Sequence, residues 1–392
     1  MPPWRPQPFR TQALTDGRSP DVVAHAVAAA EAVQARHANL PPVFTLKHLA
    51  VLADVDYGVL RNIVARNDLD PYRVFRIRKR PAHDGEVRYR IIAVPRPALL
   101  KVQRWITQLI LANITPHSAS VAFSKGDKLL HAAAPHCNCH WLIKLDVRNF
   151  FESINEVAVY RVFRSLGYQA LIAFEMTRLC TRLGGHSRFR AGPRWNARFG
   201  KWTTISAYNI YRADFGPDIG YLPQGAPTSP MLANLTMRRF DAQVTDIATK
   251  YNLVYTRYAD DLTLSTPERG FSRAVASRVI REIHSAMRMA GLAPNIAKTR
   301  VTPPGARKVV LGLLVDTDAP RLSREFKASV RRHIHYVTRT DVGPIAHARA
   351  RGFSSVAGFR HHLEGLVSFA RQIEPDYARA CIQALAGVEW PL

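Results

Sequence analysis

The stretch Tyr255-Thr-Arg-Tyr-Ala-Asp-Asp-Leu-Thr-Leu-Ser265 constrains this chain more than any other. Two runs rich in β-branched, aromatic and aliphatic residues flank an adjacent pair of carboxylates. The pattern predicts a β-hairpin with Ala259, Asp260 and Asp261 at its turn. Adjacent aspartates repel, so a packed fold gains nothing structural by forcing them together. A divalent cation removes the objection, because hard oxygen ligands suit Mg²⁺, which takes one or two carboxylates plus substrate phosphates. Standing alone, an Asp-Asp pair is a solvated turn, and the rest of the chain must decide.

The charge balance bears on that decision. Among 392 residues, 55 Lys and Arg against 30 Asp and Glu leave a formal charge of +25. Such a surplus implies a polyanionic partner, since neutralising phosphates releases counterions and binds without reading bases. A membrane surface is the rival polyanion, but no apolar run is long enough to span a bilayer and the Pro- and Arg-rich N-terminus has no signal-peptide core. Four cysteines do not make a disulfide framework in a chain of this length, which points to a reducing cytoplasm.

Along the chain, residues 1–20 read as a mobile arm. A helix is expected from Asp21, as N-cap, to His37, followed by two short helices over Thr45–Ala53 and Tyr57–Asn67. Tyr72–Lys79 and Val87–Pro95, about an Asp84-Gly85 turn, predict a basic hairpin with several cationic groups on one face. Pro97–Asn113 reads as an amphipathic helix burying Leu100, Trp105, Ile106, Leu109 and Ile110. Trp141–Val147 is a buried-type strand carrying Asp146 near its end; the stretch Arg148–Ile154 follows, and a helix is then expected to about Leu183. A carboxylate there is costly unless a metal or donor meets it.

Residues 184–220 interleave basic and aromatic side chains in a way that suits phosphate contact and base stacking, or a surface insertion with no specific role. Leu222-Pro-Gln-Gly-Ala-Pro-Thr-Ser-Pro230 follows, with Gly225 permitting close backbone approach and a helix opening through Phe240. Further expectations are a helix over Phe271–Ala290, an apolar strand over Val309–Val315, and a helical C-terminus, very basic at first, from Ser323. His136-Cys137-Asn138-Cys139-His140 has too short a Cys spacing for a zinc knuckle, so its cysteines, like Cys180 and Cys381, read as structural thiols.

Asp146 with Phe150-Phe151, then Leu222–Pro230, then Tyr258-Ala-Asp-Asp261 occur in one order. Together they resemble reverse transcriptases, and within them the bacterial retron-type enzymes, over roughly residues 45–385. The resemblance implies an α+β right-hand polymerase with fingers, palm and thumb, the palm an antiparallel sheet carrying the Tyr258–Asp261 hairpin. The implied division is an N-terminal arm and helix over 1–44, fingers with a small helical cap over 45–140, a palm over 141–316 interrupted by 184–220, and a helical thumb over 317–392.

It further implies catalysis by Asp146, Asp260, Asp261 and Lys298. Two Mg²⁺ ions, with Mn²⁺ as a substitute, would be held by the three aspartates and the Val147 carbonyl. By the same likeness Lys79 and Arg90 clamp the triphosphate, Phe151 excludes a sugar 2′-hydroxyl and Gln224 lines the nucleotide pocket. Val310–Val315 would be the primer grip, with Arg324, Lys327, Arg331 and Arg332 on a duplex-following helix.

Partners implied are a structured non-coding RNA as template and primer, its DNA product, deoxynucleotides and an effector encoded nearby. Two stretches depart from the retron pattern. Ala132-Ala-Ala-Pro-His136 stands where Asn-Ala-x-x-His is usual, and Val310-Leu-Gly312 where Val-Thr-Gly is usual. Another stand-alone or template-independent reverse transcriptase is therefore a second reading. A catalytically idle RNA-binding scaffold is a third, opposed by the three intact acidic positions.

Overall fold

The computed structural model describes residues 4–67, 70–78, 89–124, 126, 128–183 and 219–391. It is an α+β fold whose sheets are antiparallel throughout. At the N-terminus the expected arm is instead helical over Pro6–Thr15 (α1), because Pro6 sits at a helix start where no amide donor is needed. Helix α2 spans Pro20–Arg36, capped by the Ser19 hydroxyl rather than by Asp21. Thr45 and Asp56 cap α3 (Leu46–Leu52) and α4 (Tyr57–Ala65) in the same way, each side chain accepting from a first-turn amide.

Strands β1 (Tyr72–Arg78) and β2 (Tyr89–Pro95) pair as expected, but their register divides the basic residues. Paired residues share a face and neighbours in sequence do not, so Arg73 and Arg90 lie on one side and Arg76 on the other, over the Tyr89 ring at 4.3 Å. The described basic residues are thus shared between the two faces of the hairpin. Four long helices or strands of the sequence reading also break. The helix from Pro97 is α-helical only to Trp105 (α5), widens to a π-turn over Ile106–Ile110 and tightens over Leu111–Asn113. Leu99 and Val102 are buried here, whereas Leu100 and Leu109, expected to be buried, are only half-buried. A short helix α6 (Leu129–Ala133) precedes strand β3 (Trp141–Arg148).

After β3 comes the one-turn helix α7 (Phe150–Ser153), and the expected long helix is two: α8 (Glu156–Ser165) and α9 (Ala170–Cys180). Gly167, in the left-handed region, is the corner that the apolar pattern alone did not reveal. Helix α10 (Ser229–Thr236) gives way at Met237 to α11 (Arg238–Lys250).

β4 (Val254–Tyr258) and β5 (Asp261–Thr266) form a hairpin, and α12 (Arg273–Met289), β6 (Ala293–Pro294) and β7 (Arg300–Thr302) complete this part of the chain. In the five-stranded sheet β3 is central, with β5 then β4 on one side and β6 and β7 on the other. Its two faces differ. Trp141, Ile143, Leu145 and Val147 of β3, with Leu262 and Leu264 of β5, enter the main core beneath helices α11 and α12. Lys144 and Asp146 pair with Thr263 and Asp261 on the opposite, more polar face.

Val309–Val315 is not one strand but a tight hairpin, β8 (Val309–Val310) and β9 (Leu313–Leu314), turning at Leu311 (φ 48°) and Gly312 (φ 85°). Positive φ at both turn residues matches the right-handed twist of a two-residue hairpin. With β10 (Arg321–Leu322) this sheet packs against α13 (Arg324–Thr338), α14 (Gly343–Ala350), α15 (Val356–Ile373) and α16 (Pro375–Leu385) around a second core. The four cysteines are unbridged; Cys139, Cys180 and Cys381 are buried and Cys137 half-buried.

His136 ties the far end of the polar sheet face together. Its two ring nitrogens meet Ser265 Oγ of β5 at 2.7 Å and Thr256 Oγ1 of β4 at 2.8 Å, and the ring is fully buried. Burial lowers its pKa from 6.5 to about 4. The unfolded chain takes up a proton near the ordinary value while the folded one resists, so stability is full above 6.5 and is lost as pH falls towards 4. Between pH 7 and 5 this loss is expected to be about 2 kcal/mol. Urea unfolding of the native chain and of His136→Gln at both pH values checks it: the variant should lack that part of the acid slope.

Candidate active site

Asp146 and Asp261 face each other directly across β3 and β5. Asp260 occupies the turn between β4 and β5, and its carbonyl accepts from the Val147 amide at 3.0 Å. Three carboxylates thus meet where the two hairpin strands and the central strand converge. Asp146 is nearly fully buried. Its carboxylate accepts from Asn295 Nδ2 and from Lys298 Nζ, both at 2.6 Å, and its carbonyl accepts from the Asn295 amide at 2.8 Å. Burial, followed by the neighbouring Asp261 and Asp146 charges, pushes Asp260 up to about 6. Asp261 is raised too, mainly by burial, against a lowering influence from Lys144.

The turn that presents Asp260 is itself strained. Ala259 adopts φ 55°, the left-handed region, which costs a residue with a Cβ about 1–2 kcal/mol. Arg257 compensates from beneath. Its side chain points into the core and is fully buried, with Nη1 donating to the Ala259 carbonyl at 3.1 Å and to Asn234 Oδ1 at 3.3 Å. Nε and Nη2 each donate at 2.7 Å to the two oxygens of Asp241 on α11, a bidentate pair with neither partner exposed. Tyr255 Oη donates to the same carboxylate at 2.9 Å, and the Phe150 ring lies 5.8 Å from the guanidinium.

The loop 222–228 approaches from the side. Gly225 has φ 112°, and a Cβ there would stand 2.8 Å from Ile92 Cγ2 and 3.1 Å from the Ala93 carbonyl oxygen. The Gln224 carbonyl accepts from the Ala93 amide at 2.7 Å, so this loop is stitched to β2. Glycine is required at 225 both for conformation and for space.

Of the residues expected at the site, the structure gathers Asp146, Val147, Asp260, Asp261 and Lys298. Phe151 stands half-buried on α7 with its ring 5.5 Å from that of Phe150. Gln224 is half-buried and joined through its backbone to β2, while Arg90 is exposed on that strand. Lys79 lies outside the described residues, as does nearly all of the 184–220 stretch. On α13, Arg324, Arg331 and Arg332 are exposed, but Lys327 pairs with Glu374 of the helical unit at 2.5 Å.

Asn295, Asp241, Asn234 and Arg257 carry site functions that the sequence reading did not assign. A signal existed for Arg257, since a cation at an inward position of a buried strand requires a carboxylate partner. An Arg-rich cavity of about 600 Å³ lined by Arg66, Tyr72, Arg178 and Arg182 lies elsewhere. Its guanidinium groups pair with Glu156 and Asp70, so it reads as a structural ion-pair cluster.

The donor set suits a hard divalent cation: carboxylate oxygens whose mutual repulsion is only partly relieved. Among the described residues, no three His, Cys, Asp or Glu side chains are already arranged as a metal cage. Asp146 is instead neutralised by the Lys298 ammonium, whose side chain is 61% exposed.

The family profile for reverse transcriptase (RNA-dependent DNA polymerase) matches residues 77–315, and the chain belongs to that family of RNA-directed DNA polymerases. Within the family its likeness is to the retron type. It is 27% identical to the retron Ec86 reverse transcriptase of Escherichia coli over 88% of this chain and 94% of that one. It is 28% identical to the retron Mx65 reverse transcriptase of Myxococcus xanthus, over 89% and 72%.

Removing Asp241 would strand a buried guanidinium. Asp241→Ala is expected to destabilise the fold by about 3–5 kcal/mol, measured by denaturant unfolding. A loss under about 1 kcal/mol would show that the pair does not anchor the turn.

Proposed function

We propose that this enzyme copies a structured non-coding RNA, used as template and primer, into short DNA that stays joined to RNA, in the manner of a retron. The observation that carries the reading is the convergence of Asp146, Asp260 and Asp261 at one edge of an antiparallel sheet, with Lys298 beside them. In this reading residues 45–140 form fingers, 141–316 a palm and 317–392 a thumb. Two Mg²⁺ ions, or Mn²⁺ in their place, bound by Asp146, Asp260, Asp261 and the Val147 carbonyl would lower the pKa of the primer hydroxyl and neutralise the triphosphate and departing pyrophosphate.

The chain's own residues orient the reactants. The strained Ala259 turn holds Asp260 forward, and Asn295 fixes the Asp146 carboxylate. Lys298 passes from Asp146 to the phosphates, where its ammonium offsets charge on the leaving pyrophosphate. Phe151 stands beneath the sugar, Gln224 borders the base pair, and Arg90 with Lys79 contacts the triphosphate. The Val310–Val315 hairpin supports the primer end, and Arg324, Arg331 and Arg332 follow the duplex backbone. Lys327, held by Glu374, contributes less. In the same reading the enzyme acts in the bacterial cytoplasm in phage defence, with an effector encoded nearby.

Expression with the flanking genomic DNA, followed by sequencing of the copurifying nucleic acid, tests the reading. The native chain should yield a short discrete DNA joined to RNA. The Asp260→Ala/Asp261→Ala chain should retain the RNA and make no DNA. Long, repetitive or untemplated DNA would keep the polymerase and reject the retron, favouring the other stand-alone reverse transcriptases. RNA without DNA in both, confirmed by an inactive Mg²⁺ and deoxynucleotide assay, would favour the scaffold.

A further inference from the structure

Phe123 lies in the connection between α5 and α6 and enters none of the roles above. The segment before it is fixed in place. The Arg257 amide donates to the Ala119 carbonyl at 2.7 Å and the Val121 amide to the Arg257 carbonyl at 3.0 Å, so Ser120 lies parallel alongside β4. Asn234 Nδ2 then holds the Ala122 carbonyl at 2.6 Å, fully buried. At the next residue the backbone turns to φ 71°. A positive φ at a bulky aromatic is a genuine outlier that persists only where surrounding structure imposes it, and such outliers gather at functional sites.

What the turn achieves is placement of the ring. Phe123 is 42% exposed rather than packed in the core. Its ring lies 6.3 Å from that of Phe151, at 47°, and 6.1 Å from that of Tyr258, at 45°. These are separations at which tilted aromatic rings attract. Phe151 touches Phe150 on one side and Phe123 on another, and Tyr258 immediately precedes the Ala259-Asp260 turn. Phe123 therefore links the ring beneath the sugar to the strand that presents the carboxylates. An exposed aromatic held in a strained backbone gains little from burial, so its value lies in what it touches.

We propose that Phe123 is a positioning residue for sugar discrimination: by bracing the Phe151 ring it sets how closely that ring approaches the 2′ position of the incoming nucleotide. The inference rests on Phe151 as the sugar gate. Without the brace, Phe151 gains room to tilt aside, which admits a ribonucleotide without removing any group that contacts the triphosphate. The effect is selective: ribonucleotide use rises while deoxynucleotide use changes little.

The test compares kcat/KM for dTTP and UTP on a poly(rA)–oligo(dT) template for the native chain, Phe123→Ala, Phe123→Tyr, Phe151→Ala and the double alanine variant. Phe123→Ala should narrow the preference for dTTP about tenfold, chiefly through a lower KM for UTP. Phe123→Tyr, which keeps the ring, should restore the native preference. The double variant should be no more permissive than Phe151→Ala alone, since coupled residues are non-additive. If Phe151→Ala relaxes the preference and Phe123→Ala does not, the bracing role is overturned while the gate stands. Additive effects would equally overturn action through Phe151. An unchanged preference in Phe151→Ala would remove the gate itself and the brace with it. Thermal unfolding of each variant separates these outcomes from misfolding, and the ring-retaining Phe123→Tyr keeps the test decisive if Phe123→Ala is unstable.

Discussion

The buried ion pair between Arg257 and Asp241 is the contact on which the rest of the site depends. Burying two charges is costly unless geometry and remaining hydrogen bonds are nearly complete. Here they are: two parallel bonds join the pair, Tyr255 serves the carboxylate, and the remaining guanidinium nitrogen reaches Asn234 and Ala259. Each partner comes from a different segment, so one cation registers helix α10, helix α11 and the hairpin turn against each other. The backbone of the same residue aligns the segment that ends at Phe123.

A second constraint is the alternation of the sheet. On β3 and β5, residues facing the helices are apolar without exception from Ile143 to Val147 and from Leu262 to Leu264. Residues facing the other way are polar or charged over the same span. A slip of one residue would exchange the two sets and bury Asp146 and Asp261 in the main core. The hydrophobic effect that builds the sheet thereby also chooses which face carries the carboxylates.

Much of this was legible in the sequence. The Asp-Asp hairpin, the core strand bearing Asp146, the close approach at Gly225 and the capped helices α3 and α4 all follow from local pattern. Reading failed where a local signal met a tertiary one. Ser19 displaced Asp21 as a cap because Pro20 supplies the first helical residue. The run from Ile154 to Leu183 keeps helical apolar spacing across the corner at Leu166–Gln169, so periodicity alone could not show the break. Val309–Val315 is uniformly apolar because one side of a tiny hairpin packs on helices, not because it is a long strand. Arg257, Asn234 and Asn295 act through partners distant in the chain, and sequence spacing carries no record of those meetings.

The bond between Lys298 and Asp146 has a consequence for the protein before it meets nucleic acid. Adjoining acids concentrated at one sheet edge are a source of self-repulsion in any resting state. A tethered ammonium already seated against the most buried of them lets the chain complete its fold without waiting for an ion to arrive. On the proposed reading, assembly of the scaffold and loading of the site are thus separate events. Because the side chain is long and mostly in water, a rotamer change suffices to vacate the seat, with no movement of the sheet required. On that reading the enzyme carries its own stopper on a flexible stem.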